Sequence, residues 1–389
     1  MIDFLIKFQV LVDTLYFNIL REIRPTHVVI DLTAVDHNIQ QIRKKINGKK
    51  IMAIVKANAY GHGIQEITER IIQNGVEYIG VGFLEEAIFL RQNNIEAPIL
   101  VMGGILGYQL KKFIQNDIDI TVSSLELARH INDELHHQKA RVHLKIDTGM
   151  ERIGVTHTFA VEFVKRVAQM KNLDIVGIYS HFATADEGDK SFTLTQLERF
   201  ESILYELKKS GIEIPLKHVA NSGAIADIPQ STFDMVRPGI SIYGIYPSAQ
   251  VSTDLNLKPV LSLKSKVVFI KRVPARTGIS YGLKYFTSKD SNIVTIPIGY
   301  GDGYSRLLSN TGAVLIRGKR YPVVGAVCMD QLMINVGDDK VEIGDEVVLI
   351  GSMDNERISV NELADKIGTI PYEITCMINA RVPRFYKLK

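Results

Sequence analysis

Cysteine is scarce in this chain: Cys328 and Cys376 are the only two in 389 residues, and neither belongs to a CxxC pair. That argues against a disulfide framework or a zinc cage and suits a reducing cytosol. An excess of one charge is missing as well. Lys and Arg number 46 against 43 Asp and Glu, for a net charge of +3, and the basic residues are scattered rather than gathered in blocks. Such a distribution gives no reason to expect a nucleic-acid partner. Long uninterrupted apolar runs are also lacking. The opening stretch "MIDFLIKFQVLVDTLYFNILREIRP" is apolar, but Asp3, Lys7 and Asp13 break it too often for a membrane span. It has neither the basic start nor the small-residue cleavage site of a signal peptide. The expectation for residues 1–25 is an extra amphipathic helix or loosely attached leader of open role, on a cytoplasmic protein with no membrane contact. No GxGxxG follows an early strand, which weakens a dinucleotide-binding reading.

What is present is an ordinary globular composition, 46% hydrophobic and 23% charged, in a chain long enough for two domains. From about residue 50, short apolar runs recur: "KIMAIV", "YIGVGF", "PILVMG", "IDITVS", "VHLKID", "IVGIYS", "LKHVAN" and "FDMVRP". Between most of them lie stretches of helical periodicity with charged faces, such as "IQEITERIIQNG", "LEEAIFLRQN" and "LTQLERFESILYELKKSG". Alternating strands and helices imply parallel pairing with right-handed crossovers. Eight such units predict an α/β fold, a closed (β/α)8 barrel of the TIM type. After about Tyr246 the runs turn β-rich and are punctuated by Gly, Pro, Asn and Asp, which predicts a separate, mostly β domain. The expected division is 1–25 for the extension, 26–250 for the barrel and 251–389 for the β domain.

Barrel enzymes place their chemistry on the loops after the strands. At those positions stand Lys56, Lys145 with Asp147 and nearby Arg152, His181, Asn221-Ser222, and Arg237 with Gly239 and Ile240. Each has an ordinary reading. Lys56 could snorkel past the core; His181 could be a satisfied core imidazole; Asn221-Ser222 could cap a helix. Arg152 and Lys145 could form a solvated charge pair, and Gly239 after Pro238 could be a plain turn. Their convergence on one rim favours a site. A reactive amine at Lys56 could form a Schiff base. Ser222 and the backbone N–H groups near Gly239 and Ile240 make a phosphate cradle. An amine and a phosphate site together are the minimal kit for pyridoxal phosphate.

The motifs "VKANAYGHG", "KIDTGMERIGV", "SHFATAD", "ANSGA", "VRPGISIYG", "SYG", "IPIGYGDGY", "VCMDQ" and "PYEI" stand in the order found in alanine racemases, which the chain resembles from about Thr26 to its C-terminus. The resemblance implies a head-to-tail homodimer with shared active sites, in which Lys56 carries pyridoxal 5'-phosphate. Tyr60, Ser222, Gly239, Ile240 and Tyr372 would hold the phosphate beside Asn221. Arg237 would face the ring nitrogen, with His181 hydrogen-bonded behind it. Arg152 would reach the cofactor and the substrate carboxylate, braced by a carbamylated Lys145. Tyr281 would be the second base, supplied across the dimer, with Met329 and Asp330 binding substrate and Tyr300 and Tyr372 narrowing the channel. Gly301 stands where Ala is more usual, and the leader is longer than the family's.

The implied activity is interconversion of L- and D-alanine by two bases on opposite faces of Cα, supplying D-alanine for peptidoglycan. A phenol that acts as a base near neutrality needs nearby positive charge, which a chain through His181 and Arg237 could provide. An arginine facing the ring nitrogen cannot readily accept its proton, which keeps reprotonation at Cα. Tyr372 after Pro371 could equally be a helix-start aromatic, and Cys328 more simply packs than reacts. The alternatives are a racemase of broader or serine specificity, a decarboxylase on a similar fold, and a non-catalytic pyridoxal-phosphate carrier.

Overall fold

The computed structural model describes residues 23–136 and 138–388. The leader expected over residues 1–25 therefore lies, up to residue 22, outside the described residues. Two compact units form, one of residues 34–258 and one that joins the segment ending at Thr33 to residues from Pro259 onward.

All eight runs in the first unit become parallel barrel strands. They are β2 (Lys50–Ile54), β3 (Tyr78–Val81), β4 (Ile99–Val101), β5 (Asp119–Val122), β6 (Ala140–Asp147), β8 (Leu173–Tyr179), β9 (Leu216–His218) and β10 (Met235–Val236), with the two-residue β7 (Val155–Thr156) beside β6. Strand β1 (His27–Asp31) belongs elsewhere. β10 pairs with β2 through Met235↔Lys50 and Val236↔Ile51. Between β9 and β10 two backbone bonds complete the circuit, Asp234 N–H to Lys217 O at 3.1 Å and Arg237 N–H to Ala220 O at 2.9 Å.

Strands β3, β4 and β5 are buried at every residue, because one face fills the barrel and the other lies under helices. The helices show the matching stripe. Ile64–Gln73 buries Ile64, Ile67, Thr68 and Ile71, and Ala160–Val167 buries Ala160, Phe163, Val164 and Val167, both at the 0, 3, 4, 7 spacing of one helix face. Each fully buried Ile or Phe contributes about 1.5–3 kcal/mol of hydrophobic stabilisation. The helix Ser191–Lys209 ends as its sequence predicts, with Lys208 and Lys209 in its last turn and Gly211 at φ 73° just beyond.

The second unit is mostly β. One sheet runs β15 (Lys319–Pro322), β14 (Ala313–Ile316), β17 (Glu346–Met353), β11 (Leu261–Lys266), β1, β19 (Arg384–Lys387), with β18 (Glu356–Ile358) on β17. A three-stranded sheet holds β12 (Phe269–Val273), β13 (Ser291–Ile296) and β16 (Leu332–Gly337). β1 pairs antiparallel with β11 and parallel with β19, so residues 27–31, read from sequence as part of the start of the barrel, are built into this sheet instead. The physical reason is that "HVVID" is an alternating strand whose partners lie more than 200 residues away, and no local pattern names them. Among the described residues, no helix is long and apolar enough to cross a membrane.

Candidate active site

Lys56 follows β2 after a single residue and is exposed. The turn that carries it is left-handed. Ala57 (φ 53°, ψ 53°), Asn58 (φ 55°, ψ 47°) and Ala59 (φ 52°, ψ 50°) lie in the αL region, and Tyr60 also has φ 53°. For non-glycine residues that conformation costs about 1–2 kcal/mol each, so the surroundings must over-determine it. They do so from several sides. Asn58 Oδ1 accepts from the N–H of Ile64 at 2.9 Å, and Nδ1 of His62 lies 3.0 Å from the carbonyls of both Ala59 and Tyr60. Tyr243 donates its hydroxyl to Ile54 O at 2.9 Å and packs its ring on those of Tyr60 and His62. Glu86 accepts from the N–H of Ala57 at 2.6 Å.

Arg237, 2% exposed, lies just beyond β10 and ties three strand ends together. Nη1 donates to His218 Nδ1 at 2.9 Å and His218 O at 2.8 Å; Nη2 donates to Ser180 O at 2.7 Å, Val219 O at 3.1 Å and His181 Nδ1 at 3.3 Å. Burial lowers its pKa to about 10, so it stays charged at neutral pH. Sequence reasoning anticipated His181 behind Arg237 and missed His218, which is the closer imidazole.

A guanidinium only donates. His218 Nδ1 must therefore accept, its Nε2 carries the proton, and that proton points to His143 Nδ1 at 3.0 Å. His143 Nε2 in turn faces the Tyr78 hydroxyl at 3.2 Å and Asp119 Oδ2 at 3.4 Å. Tyr78 donates to Asp119 Oδ2, and Arg141 Nε meets Asp119 Oδ1 at 2.7 Å. A directed polar line thus runs through the barrel core from Arg237 to Arg141. Burial, reinforced by the positive charge of Arg237, drives His218 well below the usual imidazole range. Burial also lowers His143 against the opposing pull of Asp119. Asp119 is raised by burial, but its bonds to His143, Arg141 and Tyr78 outweigh that and leave it below the ordinary carboxylate value.

His181 marks where the rim residues meet. It is half-buried, and desolvation lowers its pKa far below 6.5, assisted by the charges of Arg237, Arg152, Lys145 and Lys56 in that order. Four basic side chains from three strand ends therefore act on one neutral ring, with Lys145 on β6 itself and Arg152 on the loop after it. Lys145 is buried, donates to Ile146 O at 2.7 Å and lies 5.5 Å from the centroid of Tyr179. Desolvation lowers its pKa to about 7, with Arg237 and Arg152 adding to the effect and Asp147 opposing it. Tyr179 stacks on His218 at 4.9 Å, bonds Thr121 Oγ1 at 2.8 Å, and is pushed by burial to about 12.

Ser222 and Gly239 come together. The Ser222 hydroxyl accepts from the N–H of Gly239 at 3.0 Å and of Ser241 at 3.4 Å. Asn221 caps the helix Ser222–Asp227 through a bond from Ala224 N–H at 3.0 Å, which is the ordinary role anticipated for it. A Cβ on Gly239 would stand 2.6 Å from the Tyr60 hydroxyl, so glycine is required there by close approach. Pyridoxal phosphate needs an amine for its aldehyde, hydroxyl and N–H donors for its phosphate, and cations for its charge. Lys56, the Tyr60–Ser222–Gly239 cradle and the cations around His181 fit that set.

The remaining predicted residues lie on the second unit. Tyr281 is 72% exposed and, with Ser280 and Cys328, lines a cavity of about 420 Å3. Ser280 anchors its turn, donating to Ala326 O at 2.7 Å. Tyr300 N–H bonds Cys328 O at 3.0 Å, which joins its loop to that of Met329 and Asp330. Asp330 pairs with Arg381 Nη2 at 2.6 Å. Tyr372 is half-buried in the first turn of the helix Pro371–Met377, where its carbonyl accepts from Thr375 Oγ1.

Residues 30–247 match the family described as "Alanine racemase, N-terminal domain", and residues 260–386 match "Alanine racemase, C-terminal domain". Alanine racemase 2 of Caldanaerobacter subterraneus subsp. tengcongensis is 45% identical over 370 residues, covering 94% of this chain and 95% of the relative. The solved alanine racemase of Clostridium difficile 630 superposes with a TM-score of 0.88 at 40% identity, over 93% of this chain and 96% of that one. A histidine racemase from Leuconostoc mesenteroides subsp. sake shares the fold at 30% identity and a TM-score of 0.87, over 94% of this chain and 99% of that one. With both halves of its sequence matched in order and the barrel mouth assembled as described, the chain belongs to the alanine racemase family.

Proposed function

We propose that this protein interconverts L- and D-alanine with pyridoxal 5'-phosphate, by proton transfer between two bases on opposite faces of Cα. The observation that carries the reading is the gathering of Lys56, Lys145, Arg152 and Arg237 around the neutral ring of His181. Lys56, Arg152 and Arg237, with Lys145 titrating near neutrality beside them, suit a ligand that brings a phosphate and a carboxylate together.

When bound, pyridoxal phosphate supplies the electron sink that makes the Cα proton of an amino acid removable. Lys56, Tyr60, Asn221, Ser222, Gly239, Ile240 and Tyr372 would hold it, and Arg237 would face its ring nitrogen. Lys56 Nζ takes or returns the proton on one face, and the hydroxyl of the partner subunit's Tyr281 serves the other. The exposure of Tyr281 on its own unit supports a role toward a second chain, and hence a homodimer with shared sites. Arg152 and the partner's Met329 and Asp330 orient the substrate carboxylate, while Tyr300 and Tyr372 narrow the access channel. A Lys145 amine that titrates near neutrality is open to carbamylation, and its carbamate would brace Arg152. A cytoplasmic racemase of this kind would supply D-alanine for peptidoglycan.

The histidine racemase on the same fold favours one second reading, a broader substrate range. A decarboxylase is disfavoured by Arg237, which stands where such chains resemble one another in having an acid. A non-catalytic carrier resembles an isolated barrel, and the matched C-terminal half argues against it. The test is to incubate the purified holoenzyme with L-alanine, L-serine, L-lysine and L-histidine and follow the D-enantiomers, with Lys56→Ala as control. D-alanine formed fastest, and abolished in the control, supports the reading; equal or faster turnover of another amino acid moves it to the broader range. No turnover by a holoenzyme with label on Lys56 after borohydride would sink the racemase reading altogether.

A further inference from the structure

The turn that presents Lys56 is held by a residue from a different loop. Glu86 is the third residue of the helix Leu84–Gln92, which follows β3. Its Oε2 accepts from the N–H of Gly82 at 2.8 Å and of Phe83 at 3.3 Å, which is how a glutamate at this position closes the first turn of its own helix. Its Oε1 does something the helix does not need. It accepts from the N–H of Ala57 at 2.6 Å, across 29 residues of sequence.

Ala57 is the residue after Lys56 and the first of the four left-handed residues. The same carboxylate therefore fixes the amide adjoining the lysine and the end of β3 on which that lysine lies. A Cβ added to Gly82 would stand 3.6 Å from Lys56 Cβ and 3.8 Å from its Cδ, so the aliphatic stem runs along Gly82. A left-handed run of non-glycine residues relaxes toward the right-handed basin unless something outside it holds it. The geometry points to Glu86 as a positioning residue for Lys56: one carboxylate oxygen caps the helix, and the other locks the turn that aims the amine. This rests on the reading that Lys56 carries the cofactor.

The isosteric variant Glu86→Gln tests it, because an amide can supply only one acceptor oxygen and must give up either the cap or the clamp. Glu86→Ala removes both. Five quantities are read: kcat and KM for L-alanine, the pH midpoint of the visible band of the holoenzyme, amide hydrogen exchange of the cofactor-free protein over residues 55–63, and the thermal midpoint. The expected result is a fall in kcat on the order of 100-fold in Glu86→Ala, the loss that follows when a reacting group shifts by about an ångström, with KM little changed. Glu86→Gln falls between this variant and wild type. The visible band's midpoint shifts, and exchange quickens at 55–63 while the other barrel strands keep their protection. Unchanged kcat and exchange in both variants overturn the inference. So does a loss of activity that follows uniform loss of protection across the barrel, which would make Glu86 merely structural. If borohydride fails to fix the cofactor on Lys56 in the wild-type protein, the underlying reading fails as well; if it succeeds and the variants behave as wild type, only the inference falls.

Discussion

Arg237 donates to Nδ1 of His218 at 2.9 Å, so the imidazole nearest the guanidinium is a pure acceptor toward it and cannot give it a proton. Burial lowers Arg237 only to about 10, which leaves it cationic at neutral pH with its partners fixed. If Arg237 faces the ring nitrogen of the cofactor as proposed, its fixed positive charge would disfavour a proton there and so favour reprotonation at Cα. In Arg237→Glu, racemisation should fall by about 100-fold or more, as when a preorganised charge is removed from a site, and the share of turnovers ending in pyruvate should rise. Parallel assays of D-alanine and pyruvate check this. An unchanged pyruvate share would separate Arg237 from reaction choice.

The line behind Arg237 packs directly against Gly177. A Cβ there would overlap Nδ1 of His143, the atom that receives the proton of His218. Gly177→Ala must therefore turn the His143 ring and break that bond, and overpacking of this kind costs about 1–3 kcal/mol. Urea unfolding should report the loss. Because His218 then lacks its partner, kcat should drop while the fold persists by circular dichroism.

How far the sequence reached depends on whether a pattern was local. All eight barrel strands were legible, because most of the apolar runs are separated by a helical stretch, and "KKSG" marked a helix end without tertiary help. β1 was not, since its pairing with β11 and β19 is set by contacts beyond any window. His143 and Lys145 are two apart on β6, and the period of a strand puts both on one face. That signal could have singled out His143, yet one polar residue in an apolar run reads as an ordinary core histidine. The left-handed turn was invisible for another reason. Ala57, Asn58, Ala59 and Tyr60 occupy a conformation that sequence rules reserve chiefly for glycine, and only tertiary bonds keep them there. Glu86 in "LEEAIFLRQN" looked like part of a solvated helix face.

Lys145 gives a chemical test. Its amine titrates near 7, so the neutral form that can attack CO2 grows above that pH and vanishes below it. The nitrogen forms a bond to carbon and releases one proton, leaving an anionic carbamate. Bicarbonate should raise activity at about pH 8 and have little effect at about pH 6, because desolvation has moved the amine's midpoint between them. Isotope-labelled bicarbonate should give a carbamate resonance that is lost in Lys145→Ala. Activation that persists in that variant would assign it to another group.

Acid should loosen the barrel before the carboxylates titrate. His143, His181 and His218 all lie below 6.5 in the folded chain, the last two well below. An unfolded histidine takes up its proton as pH falls through about 6.5, while these native rings do not. The unfolded state then binds more protons, so the stability held above 6.5 is lost progressively below it. For the fully buried His218, which lies well below that value, the slope approaches about 1.4 kcal/mol per pH unit; His143, lowered less against the pull of Asp119, adds to it in the same direction. Urea unfolding followed from pH 7.5 downward, to about pH 5.5, should show this decline with net proton uptake on unfolding. A flat profile would mean the native rings take up protons over the same pH range as the unfolded ones.

Gly301 stands where the family resemblance implies alanine, and its surroundings say what a methyl group there would do. A Cβ at Gly301 would stand 2.6 Å from Arg381 Nη1 and 3.0 Å from Met329 O. Arg381 uses the space to reach Gly301 O at 3.4 Å while Nη2 holds Asp330 at 2.6 Å, and Asn379 adds a bond to Gly301 O at 2.7 Å. The loops of Tyr300 and of Met329-Asp330 are thereby tied to one guanidinium. Alanine would push that long side chain aside rather than unfold the loop, since its end is flexible. Gly301→Ala should therefore leave the thermal midpoint almost unchanged and raise KM for alanine a few-fold, a loss of about 1 kcal/mol or less, as befits a half-exposed ion pair. Arg381→Ala should raise KM at least as much, and the double variant should show no further loss if both changes act through Asp330. Additive effects would place the two residues on independent paths to the substrate.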